Sequence, residues 1–161
     1  MDEIEEPDGS ADCPGDWSDP HEPNDDVPKD FGDKDGEEFE IGGGFLHPVT
    51  DVDRYTFTVS DSWFDGWDLA FDVQAKLTNV PATADLKLQL IHVLNEEGEP
   101  GYGLVDESDE GGLGADEAVY VSEIELTFWT DRGGTYEVKV VSSDGSSCLE
   151  PYTLTIGADT K

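Results

Sequence analysis

The sequence predicts an all-β protein: an antiparallel β-sandwich or jelly-roll-like fold of about eight strands, with an irregular acidic N-terminal segment. Six short runs alternate apolar and polar residues with a period of two, as strands do when one face is buried. Clusters of Gly, Asp, Asn and Pro separate these runs, and no stretch shows an apolar stripe of helical period. Short strands joined by turns are typical of a sandwich, and one sheet closed into a barrel is the alternative.

The alternation defines the strands in chain order. The six clear runs are residues 55–59, 69–77, 86–90, 124–128, 136–140 and 152–156. In the first run, Tyr55, Phe57 and Val59 alternate with polar residues. Residues 38–46 and 118–121 are weaker candidates that bring the number to about eight. Residues 60–66 and 95–117 are predicted to be long loops because polar residues and Gly interrupt the pattern there.

The length of 161 residues suits one domain with a tail. Residues 1–20 carry few apolar side chains and are predicted to be an acidic tail or linker. Residues 21–158 carry the predicted sandwich, and residues 159–161 form a short C-terminal tail. The 16 aromatic residues predict a packed interior, although only 35% of the chain is apolar.

Forty acidic residues against eight basic ones give the chain a net charge of -32. This charge argues against nucleic acid and anionic membranes as partners, because binding to either depends on clustered Lys and Arg. It favours cations and basic partners, while a solvated surface suited to salty surroundings is the simpler interpretation. No apolar run approaches the ~20 residues of a membrane span, so no membrane insertion is predicted. We expect a monomer.

Two acidic motifs carry the most information: HEPNDD at residues 21–26, which we call the acidic segment, and TDVDRYTF at residues 50–57. They occur in a fixed order with IGGG at residues 41–44, GGTYEVKV at 133–140 and YTLTI at 152–156. This ordered set, spanning residues 21–157, resembles the bacterial pre-peptidase C-terminal domain family. The resemblance implies a β-sandwich module of exported proteins, similar to the collagen-binding domains of clostridial collagenases. In those domains the corresponding acidic residues bind calcium.

The resemblance also implies a secreted, periplasmic or cell-surface bacterial protein. The chain starts without the basic and apolar regions of a signal peptide. We therefore expect a mature form whose Met1 is a new initiator, rather than a cytosolic protein.

The residue types in the two motifs favour calcium by themselves, since calcium takes about six to eight hard oxygen ligands. The acidic segment gathers such oxygens at Glu22, Asn24 and Asp25. Asp51 and Asp53 lie two residues apart before a strand, which places both on one face. If the acidic segment crosses that strand end, four carboxylates and an amide converge, and a cation or a proton must offset their repulsion. Turn formation and surface ion pairing are the alternative roles for these residues.

Cys13 and Cys148 lie near opposite ends of the chain. An even number of cysteines in an acidic, loop-rich chain predicts one disulfide in an oxidising compartment. Two free thiols are the alternative.

Four aromatic residues are candidate ligand-binding residues. Trp63, Phe64 and Trp67 share one short stretch, and Trp129 stands at a predicted strand end. Exposed aromatic residues on a sandwich stack on sugars or grip extended peptides, whereas packing beneath the long loops is the alternative.

No enzymatic activity is predicted. The three histidines are scattered, and the chain has neither a G-x-S-x-G nor an H-E-x-x-H motif. The sequence therefore predicts a non-catalytic exported accessory module, stabilised by calcium, for binding or adhesion to an extracellular protein, matrix polymer or polysaccharide. The alternative is a structural or secretion-aiding spacer domain with no dedicated ligand.

Overall fold

The computed structural model describes residues 13–15, 17–34, 36–59, 70–95, 98–124 and 133–160. These residues form nine β-strands and no helix, which confirms the predicted all-β class. The strands are β1 (Lys29–Asp33), β2 (Glu38–Leu46), β3 (Val52–Val59), β4 (Ala70–Thr78), β5 (Ala84–Asn95), β6 (Pro100–Ser108), β7 (Glu117–Ile124), β8 (Gly134–Gly145) and β9 (Ser147–Thr160).

The strands divide between two sheets, as the predicted sandwich requires. One sheet has five strands in the order β1-β3-β8-β5-β6, and the other has four in the order β2-β9-β4-β7. Among the described residues, neighbouring strands are antiparallel except at one edge, where β1 lies parallel to β3.

The core lies between the two sheets and is built from the apolar half of each alternating run. Tyr55, Phe57 and Val59 of β3 are fully buried, whereas the residues between them are half-buried. Leu154 and Ile156 of β9 supply buried side chains from the other sheet. The period of two therefore predicted the buried face as well as the strands.

Two strands were not predicted. The sequence KDFGD of β1 is short and polar, and β1 is held by backbone pairing with β3, extended by a bond from the Lys34 amide to the Thr58 carbonyl. The loop predicted at residues 95–117 was wrong for residues 100–108, which form β6 against β5. Acidic residues and Gly conceal the alternation of β6, because an edge strand has little apolar surface to bury. The run predicted at residues 124–128 meets β7 only at Ile124, and its remainder lies outside the described residues.

The predicted tails are in part attached to the sandwich. Cys13 and Cys148 form the predicted disulfide, with their sulfur atoms 2.01 Å apart. The ring of Trp17 meets Phe45 and His47 edge-on, with centroids 5.8 and 5.6 Å away. At the other end β9 continues to residue 160. In the part of the chain that the structure describes, no helix is long and apolar enough to cross a membrane.

Candidate metal site

The acidic segment crosses the start of β3, as the two motifs predicted. The buried side chain of Asn24 donates from Nδ2 to Asp53 Oδ1 at 2.8 Å. One residue further, the Asp25 carboxylate accepts a bond from the Val52 amide at 3.1 Å. These two contacts tie residues almost thirty positions apart and bring the acidic side chains of both motifs to one end of the sandwich.

Three carboxylates converge at this crossing. Glu22, Asp25 and Asp51 each offer an oxygen atom, and the three atoms lie within 4.8 Å of one another. Glu22 and Asp25 are exposed, whereas Asp51 is buried. We call these three residues the carboxylate cluster. Solvent reaches one side of it, and the protein closes the other.

Asp51 is positioned by the backbone around it. Its Oδ2 accepts the His47 amide at 2.9 Å, and its Oδ1 accepts the Val52 amide at 2.9 Å. Burial raises the pKa of Asp51 to about 8 against the lowering effect of the His47 amide, and the carboxyls of Asp25, Asp53 and Glu22 add to the rise. Three like charges this close need a proton or a cation to offset them near neutral pH.

Asp53 lies beside the carboxylate cluster and is not one of the three residues whose oxygen atoms converge there. Its side chain is fully buried, and its oxygens accept bonds from Asn24 Nδ2 and from the Tyr152 hydroxyl. The Tyr152 hydroxyl also lies 2.9 Å from that of Tyr55. Burial raises the pKa of Asp53 to about 7, although its bonds to Tyr152 and Asn24 lower it. Asp53 therefore anchors Asn24, while Glu22, Asp25 and Asp51 form the cluster.

Asn24 supplies a second feature of the site. Its backbone amide donates to Glu22 Oε2 at 3.0 Å, so the residue touches the carboxylate cluster directly. Its side-chain oxygen is buried and accepts no hydrogen bond from the described residues. A buried carbonyl oxygen without a donor is unfavourable by roughly 1–3 kcal/mol unless another positive group meets it.

The donor set fits calcium. Glu22, Asp25, Asp51 and Asn24 offer only carboxylate and amide oxygens, the hard ligands that calcium prefers over the nitrogen and sulfur ligands of zinc. The exposed side leaves room for water to complete the about six to eight positions that calcium needs.

Asp19 and the first residue of the acidic segment, His21, hold the segment in place. The buried carboxylate of Asp19 accepts the His21 amide at 2.6 Å and the Phe45 amide at 2.8 Å. His21 Nε2 lies 2.9 Å from the Gly42 carbonyl, and its Nδ1 lies 3.0 Å from Lys29 Nζ. These contacts fasten the acidic segment to β2 on one side while Asn24 fastens it to β3.

The residues predicted to bind calcium and those predicted to bind a ligand have different outcomes. Glu22, Asn24, Asp25, Asp51 and Asp53 are brought together. The four aromatic residues proposed for ligand binding, Trp63, Phe64, Trp67 and Trp129, lie outside the described residues. Asp19 and Tyr152 were left out of the predicted ligand set although both support the site. Tyr152 carries no local signal for this role, because its partner Asp53 is 99 positions away.

Comparison with known protein families finds none that matches the chain. Comparison with curated protein sequences also finds no match.

Proposed function

We propose that this chain is a non-catalytic exported accessory module for binding or adhesion, and that calcium at the carboxylate cluster stabilises it. The observation that carries this proposal is the convergence of oxygen atoms of Glu22, Asp25 and Asp51 within 4.8 Å of one another, with the backbone amide of Asn24 bonded to Glu22. A divalent cation there would offset most of the repulsion among the three carboxylates.

The position of the cluster explains how calcium would act on the whole domain. Two ligands come from the acidic segment and one from the residue that precedes β3. A cation bound to all three would therefore link the acidic segment to the start of β3, where Asn24 already donates to the buried Asp53 carboxylate. Ligands from distant segments are absent as a set in the unfolded chain, so calcium favours the folded state by mass action.

Two further observations support an exported module. The disulfide between Cys13 and Cys148 suits an oxidising compartment. The ordered motifs resemble those of the pre-peptidase C-terminal domain family, whose members accompany exported proteins, and Glu22, Asp25, Asp51 and Asp53 belong to these motifs in the present sequence.

The proposal is tested by thermal unfolding in excess chelator and in excess calcium. Calcium at about 100 times its dissociation constant adds roughly 2.7 kcal/mol to the free energy of unfolding, so the melting temperature should rise. The variant Glu22→Gln should lose most of this rise. Glu40→Gln is the matched control, because Glu40 is an exposed carboxylate on β2 outside the cluster.

An unchanged melting curve for the wild-type protein in calcium and in chelator would overturn the calcium-stabilised module. The same result would favour the alternative function, a structural or secretion-aiding spacer domain. An equal response of Glu22→Gln and Glu40→Gln would place the calcium elsewhere on this acidic chain.

A further inference from the structure

A second feature adjoins the carboxylate cluster on the outer face of the five-stranded sheet. It is a groove of about 490 Å³, a volume typical of small-molecule sites. Its wall comes from Asp25 and Asp26 of the acidic segment together with Thr50. Its floor is formed by outward-facing residues of the central strands, namely Val52, Arg54, Ile91, Glu137 and Lys139.

Two of the eight basic residues of the chain meet in this groove. Arg54 and Lys139 are directly opposite each other in the pairing of β3 with β8. Like charges at opposite positions of an antiparallel pair are destabilising. Basic residues are rare in this chain, which has eight of them against 40 acidic residues. Two basic residues at directly opposite positions therefore favour a functional role for the pair.

The two cations differ in their bonding. Arg54 donates twice to Glu137, at 2.9 Å from both Nε and Nη2, and its Nη1 lies 3.2 Å from the Asp26 carbonyl. Lys139 is half-buried and has no ion pair or hydrogen bond from its ammonium group to any described residue. The groove therefore presents a guanidinium group that is ion-paired with Glu137 and an ammonium group that forms no ion pair among the described residues.

Calcium would change the charge that this groove offers. Its ionisable wall and floor residues are three acids, Asp25, Asp26 and Glu137, against Arg54 and Lys139, a net charge of -1. Asp25 belongs to both the groove and the carboxylate cluster. Glu22 and Asp51 of the cluster bring the combined charge of groove and cluster to -3, and a divalent cation reduces it to -1, so the cation lowers the repulsion that an anion in the groove meets.

The groove suits a saccharide better than a peptide. Its floor lies on β3, β8 and β5, which are interior strands of the sheet, so it has no free edge to which an extended peptide adds. Half-buried Val52 and Ile91 give a flat apolar floor for a sugar ring, and the exposed Thr50 offers a hydroxyl group. A uronic acid unit adds a carboxylate and adjacent ring hydroxyls, the hard oxygens that calcium accepts into open positions.

We propose that this groove binds a uronic acid unit of an acidic polysaccharide, with the sugar carboxylate between the cation at Asp25 and the ammonium group of Lys139. This inference rests on the calcium site of the proposed function and names the ligand class of the module. Binding is therefore calcium-dependent, and Lys139 selects for the acidic sugar.

Isothermal titration calorimetry with trigalacturonate tests the proposal, in excess calcium and in chelator. The buffer contains about 0.15 M salt, which screens the net charge of the chain beyond roughly 8 Å. A blank titration of trigalacturonate into the calcium buffer corrects for calcium held by the sugar itself. Binding should occur in calcium and be absent in chelator.

Lys139→Gln should weaken binding about tenfold or more, because a charge-assisted hydrogen bond to the carboxylate is lost. Lys76→Gln is the matched control, since Lys76 is an exposed strand lysine on β4 of the other sheet, and it should bind as the wild type does. Neutral galactotriose should not bind measurably.

Four results would overturn the proposal: no binding of trigalacturonate in calcium, equal binding in chelator, equal affinity of Lys139→Gln and Lys76→Gln, or equal binding of galactotriose. Tighter binding of a polyaspartate peptide than of trigalacturonate would assign the groove to an acidic protein instead. A protein that calcium stabilises but that binds no trigalacturonate retains the proposed function and loses this ligand. A protein that calcium does not stabilise loses both.

Discussion

Asn24 is the residue whose removal tests most sharply how the acidic segment is held. Its side chain is fully buried, and its amide donates to the buried Asp53 carboxylate at 2.8 Å. Asn24→Ala deletes this bond, leaves Asp53 with Tyr152 as its side-chain partner, and removes the buried one of the contacts that hold the acidic segment to β3.

The size of the effect follows from the charge and burial of Asp53. A hydrogen bond to a charged group contributes roughly 1.5–3 kcal/mol net, and the carboxylate it leaves behind cannot reach water. We therefore expect Asn24→Ala to lower the free energy of unfolding by about 2–3 kcal/mol at pH 8.5. The loss should be smaller at pH 5.5, because burial already raises the pKa of Asp53 to about 7 and a protonated carboxyl needs the amide less.

Urea unfolding of the wild type, Asn24→Ala, Asp53→Asn and the double variant, all in chelator, measures this effect. The double-mutant cycle isolates the coupling of the two residues, which should be above about 1 kcal/mol at pH 8.5 for a contacting charged pair. A loss below about 0.5 kcal/mol, typical of an unconstrained surface residue, would refute the argument that Asn24 ties the segment to β3.

Three other perturbations have defined outcomes. Replacing Cys13 with Ser opens a disulfide that spans 135 residues, so the free energy of unfolding in urea should fall by about 5 kcal/mol; a fall below about 1 kcal/mol would show that the bond constrains little. Gly44→Ala should destabilise by more than about 1 kcal/mol, because a Cβ there lies 2.7 Å from the Tyr152 hydroxyl oxygen; an unchanged melting temperature would contradict this packing. In chelator, stability should decrease as pH rises from about 4 to 8, since the raised pKa values of Asp51 and Asp53 mean that the folded state keeps protons which the unfolded chain has released. The decrease should reach up to about 1.4 kcal/mol per pH unit for each group, and calcium should reduce it; a pH-independent stability in chelator would contradict the buried placement of both carboxyls.

The sequence predicted those strands in which burial determines whether each side chain is apolar or polar. In β3, the residues Tyr55, Phe57 and Val59 must be apolar because they face the core, so the period of two is visible. Two of the four edge strands, β1 and β6, carry no such pattern. β1 pairs through its backbone with β3, and two Gly and two acidic residues interrupt the nine residues of β6, so neither strand has a periodicity to detect.

The candidate site was predictable in part for a similar reason. Glu22, Asp25 and Asp51 belong to local motifs whose residue types are the ligands of a hard cation. Asp53 accepts a hydrogen bond from the Tyr152 hydroxyl, which reaches it from the other sheet. Such a partner follows from tertiary packing, and the chain near either residue does not reveal it.

The central claim is that Glu22, Asp25 and Asp51 bind one calcium ion, and calorimetric titration of calcium into the chelator-stripped protein tests it most directly. For the wild-type protein, the heat of calcium binding should saturate at one ion per chain. This heat should be distinguishable from the weaker signal of calcium that binds diffusely to surface carboxylates. Asp25→Asn keeps an oxygen that can accept the Val52 amide but removes one charge from the cluster, so it should lose this heat. The same single-site isotherm in Asp25→Asn, or no saturable binding in the wild type, would contradict the account.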